Sequence, residues 1–142
     1  MREIRLGGAI KGALIGGVAA GVLNVGLYFV GAAMGADYKP KTPETLGGLE
    51  VLPAFQPLLI CLIAAVASSV LLAILTKVAP TKAWPLYLAA SVVVFLLEFY
   101  APFWAFADMT TIVVLEVMHV PATIGIVGGI YALGVREPST SG

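Results

Sequence analysis

The stretch IKGALIGGVAAGVLNVGLYFVGAAMGA, Ile10–Ala36, has one charged residue, Lys11, at its start and no proline. It exceeds the ~20 mostly apolar residues that a helix needs to cross a bilayer hydrocarbon core. Three further runs of the same kind follow, Ala54–Val78, Ala83–Trp104 and Met109–Val135. Together they predict an all-α integral membrane protein, a four-helix up-down-up-down bundle forming a single transmembrane domain. The helices are expected at about 8–36, 54–78, 83–104 and 108–135, with an extracytoplasmic loop over 37–53 and a polar tail over 137–142.

Composition agrees with that solvent. Hydrophobic residues make up 60% of the chain and charged residues 11%, against ~25% charged in an ordinary soluble domain. The formal net charge is zero, which gives a nucleic-acid partner no electrostatic footing. The one cysteine, Cys61, lies inside the second run; it has no partner for an intrachain disulfide and reads as a small packing residue. The first run has basic residues before it and small residues at its end, as a signal peptide does. Its apolar core is nearly twice the ~7–15 residues of a cleaved signal, so it reads as a retained helix.

Orientation follows from Lys and Arg near the helix ends. Arg2, Arg5, Lys11, Lys77, Lys82 and Arg136 fall on one side of a four-span topology, and only Lys39 and Lys41 on the other, diluted by Asp37, Glu44, Glu50 and Asp108. Positive residues concentrate on the cytoplasmic side, so both termini are expected inside, in the inner (plasma) membrane. Pro40, Pro43, Pro53, Gly47 and Gly48 keep the first connection from forming a long helix. The second, Ala79–Lys82, is a tight turn, and the third, near Ala105–Asp108, is equally short, which favours neighbouring helices in space.

Helix one carries a ridge of small residues at every fourth position, Gly8, Gly12, Gly16 and Ala20, with Gly17 and Gly21 beside it. In lipid, such ridges let two backbones approach closely, so Gly12, Gly16 and Gly21 are expected to pack against a helix of this chain or of a partner. Helix four repeats the device with Gly125 and Gly129. On its other face Glu116, His119 and Thr123 fall within roughly 60° of one another.

Polar groups from all four helices gather toward the outer leaflet in this topology: Asn24 and Tyr28 on helix one, Gln56 on helix two, Glu98 on helix three, Glu116 and His119 on helix four. An ionisable side chain deep in a bilayer costs ~2.5–3.5 kcal/mol on insertion scales, and usually faces the bundle interior and pairs. Glu98, Glu116 and His119 are therefore expected to lie close together, with Glu116 and His119 sharing a proton or hydrogen bond and Asn24 or Tyr28 at the edge. Such a cluster is open to three readings: a network that fixes helix register, a proton or ion site, or a small-ligand site. Glu-x-x-His also recurs in di-metal bundles, but those use two such motifs and two further glutamates, and this chain has one motif and Glu98. No metal ligand set is assigned. The aromatic segment Glu98–Phe106 reads first as an interfacial belt; a pigment, quinone or lipid near it or near His119 is the sharper alternative.

No Walker loop, strand-linked GxGxxG, GxSxG or HExxH is present, and an enzyme is not expected. The stretch Thr110–Ala122, with Met118-His119 at its centre, resembles the Met-His signature in the last helix of a family of small four-helix bacterial membrane proteins of unknown function. That resemblance implies fold and membrane location and names no activity. The resulting expectation is an accessory or scaffold subunit packed against other membrane chains or in a homo-oligomer. The alternative is a small transporter or proton- or ion-handling protein using the Glu/His cluster.

Overall fold

The computed structural model describes residues 3–136; the polar tail expected over 137–142 lies outside the described residues. Helix α1 spans Leu6–Ala33, α2 Gln56–Val78, α3 Ala83–Glu98, α4 Ala101–Ala105 and α5 Met109–Gly134. A two-residue strand β1, Glu3–Ile4, pairs antiparallel with β2, Val135–Arg136. With the 2.8 Å bond from Arg5 N to Gly134 O, this pairing ties both ends of the described chain together. The stretches Leu6–Ala33, Gln56–Val78, Pro80–Ala105 and Met109–Gly134 are each long and apolar enough to cross a membrane. Their outward side chains, among them Val22, Phe29, Ile63, Val70, Leu97 and Ile124, are at least half exposed, which is the arrangement a lipid solvent selects.

The helices start and stop for local reasons, and these correct the expected boundaries. Helix α1 ends at Ala33, not 36. Gly35 takes a left-handed φ of 99°, Gly35 N donates to Ala32 O and Ala36 N to Gly31 O, and this pair of bonds closes the last turn. Helix α2 begins at Gln56 with Pro57 in its first turn, where a missing N–H costs nothing. The expected helix over 83–104 is broken after Glu98. Pro102 cannot donate to the Glu98 carbonyl four residues back and its ring crowds that oxygen; Tyr100 N turns instead to Leu97 O, and α4 follows as a separate turn. Helix α5 begins at Met109, because Asp108 is its cap and accepts from Thr111 N at 2.7 Å. That bond and the one from the Thr111 hydroxyl hold the Asp108 carboxyl below its usual range.

Packing is tightest where α1 meets α5 and α2. A methyl built on Gly12 would overlap the Gly129 carbonyl, one on Gly16 the Gly125 carbonyl, and one on Gly8 the Leu133 carbonyl. Gly17 and Gly21 turn the neighbouring face of α1 to Cys61, Ala65 and Leu58 of α2. Residue numbers rise along α1 as they fall along both partners, so α1 is antiparallel to each. Helix α3 is held differently. Its buried residues are Ala83, Trp84 and Tyr87 at its beginning, where Trp84 stacks on Tyr87 and packs its ring 5.7 Å from that of Tyr131. Beyond them α3 stands off from α2 and α5.

At the opposite, loop end, the connection after α1 is fastened down. Tyr28 and Tyr38 stack with ring centroids 4.0 Å apart; Tyr28 OH donates to Leu52 O and Tyr38 OH to Tyr28 O, while Tyr38 N donates to the Thr111 hydroxyl. Pro40 bridges to Phe106, and Lys41 reaches the carbonyls of Ala105 and Phe103. Tyr38 has a φ of 51°, a backbone state that a non-glycine residue keeps only when its surroundings hold it there.

Candidate functional site

Asn24 of α1 is 3% exposed, in the middle of an apolar helix. Its amide nitrogen donates to the Met118 carbonyl at 3.0 Å and contacts the Cys61 sulfur at 3.6 Å. Met118 adjoins Val117, whose carbonyl Pro121 leaves without its usual helical donor. Donation to a carbonyl fixes the amide's orientation, so Oδ1 faces the other way. That oxygen is buried and has no partner.

The cavity it lines has a volume of about 90 Å³, and Glu98 of α3 and His119 of α5 line it too. Glu98 reaches it because Pro102 ends α3 there. His119 packs its ring 6.2 Å from Phe99, and its Nδ1 is buried without a partner. Cys61 forms part of the wall and Leu52 lines the side toward the loop. Ala64, Glu98 and Ala122 are shared with a larger cleft of about 420 Å³ between α2, α3 and α5. This cleft exists because its walls are small: Ala64, Ala67, Ser68, Ala90, Ala122 and Thr123. Tyr87, fully buried and with an unpartnered hydroxyl, lines its far end. Glu98 and Tyr87 are separated by eleven positions of α3, or about 16 Å at a helical rise. Ser91, Phe95, Thr123 and Val127 belong both to this cleft and to an outer groove of about 300 Å³ between α3 and α5. The groove's rim residues, Val92 and Ile124, are exposed, so the cleft runs out to the exposed apolar flank of α3 and α5.

The expected five-residue cluster therefore divides. Asn24, Glu98 and His119 share one cavity. Tyr28 does not line it; its hydroxyl instead fixes Leu52, which does. Glu116 does not line it either. It sits on the α5 stripe of Val120, Thr123 and Val127, which faces the α3 groove, and both its carboxylate oxygens are buried without a partner. The expected hydrogen bond between Glu116 and His119 is absent: the ring of His119 lines the cavity, while neither carboxyl oxygen of Glu116 has a partner. Among the described residues no group of three His, Cys, Asp or Glu side chains stands close enough to hold a metal ion. The sequence reading missed Cys61 and Leu52 as cavity walls and the alanine-lined cleft below. The i+4 small-residue spacing of α2 was the available signal, but it could equally have marked a packed seam.

The chain belongs to a family of unknown function (DUF6069), whose sequence profile matches residues 5–134; this agrees with the resemblance carried by Thr110–Ala122. No curated protein and no solved structure matches the chain.

Proposed function

For this member of the DUF6069 family, we propose a small multi-pass membrane protein of the inner membrane that handles a solute at an intramembrane polar site formed by Asn24, Glu98 and His119. The observation that carries this reading is that the three share a cavity without bonding one another. Buried polar networks that serve the fold are satisfied internally. Here Asn24 Oδ1 has no partner, and the Glu98 carboxyl sits where a cavity and a cleft meet. Groups kept at a cost in stability are the mark of a working site.

The accessory-subunit reading drew on the glycine ridge of α1. Those glycines are engaged by α2 and α5 of the same chain, so the ridge does not argue for a partner. The remaining apolar surface is what lipid tails require.

Melting of the reconstituted protein tests the proposal. Glu98→Leu and His119→Leu are each expected to hold or raise stability, since each removes a polar group that lipid penalises and no bond is lost. A loss of about 2 kcal/mol or more in both variants would show a structural network instead.

A further inference from the structure

We infer that the solute is an amphiphile with a hydrogen-bond-donating head group, a long-chain alcohol or amine, whose head sits against Asn24 and Glu98 and whose chain lies in the cleft toward Tyr87. This deepens the proposed solute-handling reading and rests on it.

The head-group chemistry follows from what the cavity lacks. Asn24 Oδ1 can only accept, and its residue is almost wholly buried. The carboxyl of Glu98, which lines the same cavity, also offers an acceptor oxygen. Neither has a donor among the described residues, while the two amide hydrogens of Asn24 are turned to Met118 O and the Cys61 sulfur. An acceptor-only head, such as an ester or ether, would leave Asn24 Oδ1 without a donor. A hydroxyl or ammonium satisfies them.

The tail chemistry follows from the cleft. Its walls are mostly apolar, alanines with Leu71, Val94 and Ile126, interrupted by the small hydroxyls of Ser68, Ser91 and Thr123, and its volume of about 420 Å³ is in the range of small-ligand pockets. It runs for about 16 Å along α3 and joins the lipid-facing groove, so an amphiphile reaches it sideways from the bilayer. The roof at Leu52, tied by Tyr28 OH and Tyr38 O, stands between the polar cavity and the loop end. The route is therefore lateral.

The test uses the full-length protein in nanodiscs and a diazirine-bearing hexadecanol as probe, with cross-linked peptides mapped by mass spectrometry. Adducts are expected on Ala64–Leu71 and Tyr87–Val94. Unlabelled hexadecanol and hexadecylamine should compete, and hexadecyl methyl ether should compete at least tenfold more weakly. Glu98→Leu should erase that tenfold preference, and Ala90→Leu, which fills the cleft without touching a polar group, should abolish the adducts. Equal competition by the ether, with adducts still in the cleft, would overturn the head-group assignment and leave the solute site standing. Adducts spread evenly over the lipid-facing residues, unaffected by Ala90→Leu, would overturn both.

Discussion

Gly12 and Gly129 meet backbone to backbone, so closely that a methyl on either would overlap the other's carbonyl oxygen. In lipid no hydrophobic effect presses helices together, and close packing of this kind is what holds them. Gly16 and Gly125 repeat the contact one turn on. The antiparallel α1–α5 pair is thus the rigid part of the molecule, and α3 is the part that leans on it.

Gly12→Leu is accordingly expected to destabilise the isolated chain, on the order of 3 kcal/mol, because overpacking here meets backbone that cannot rotate away. Gly26 on the same helix has open space where its Cβ would be, and Gly26→Leu should change stability by less than about 0.5 kcal/mol. Thermal melting of both variants decides it. Dissociation of Gly12→Leu from a larger complex with unchanged melting would assign the seam to a partner instead.

Tyr38 predicts a pH response at the loop end. Burial, with a smaller contribution from Tyr28, pushes its hydroxyl up to about 12, above the ~10 of an exposed tyrosine. The folded chain holds the proton more tightly, so this stability is complete below about pH 10 and is lost as pH rises toward 12. The melting temperature should fall across that window. The fall should be smaller in Tyr38→Phe, which starts lower for want of the bond to Tyr28 O.

Membrane orientation is an expectation from the Lys and Arg distribution, and a labelling experiment tests it. With Cys61 replaced by Ala, an impermeant maleimide applied to intact cells should label Glu44→Cys and spare Glu3→Cys. Both positions are exposed in the fold, so the reverse pattern would invert the topology.

Much of this was legible in the residues. Apolar run length marked all four spans, and the interval of four between glycines anticipated the close approach of α1. The end of α3 was also written there: Pro102 stands four residues after Glu98, and a proline denies the carbonyl at that distance its donor. Reading the run by apolarity alone carried the helix on to 104. The cluster was harder. Spacing along α5 puts Glu116 and His119 near each other, but a difference of about 60° is enough to bring His119 into the cavity with Glu98 and Asn24 and leave Glu116 out of it. Tyr28 was drawn away by Tyr38, a loop residue whose left-handed backbone no periodicity foretells. Sequence spacing fixes which helix face a residue occupies; which neighbour that face meets depends on loops and proline breaks.

The central claim is that the polar cavity is open to the bilayer rather than sealed, and the native Cys61 in its wall reports on this directly. In intact membranes, phenylmercury acetate, a lipid-soluble thiol reagent, should modify Cys61 of the native protein, as read by intact mass. Ala64→Leu, which narrows the junction of cavity and cleft, should slow the reaction at least tenfold. Modification of Cys61 only after unfolding in sodium dodecyl sulfate, with Ala64→Leu indistinguishable from the native chain, would contradict the account.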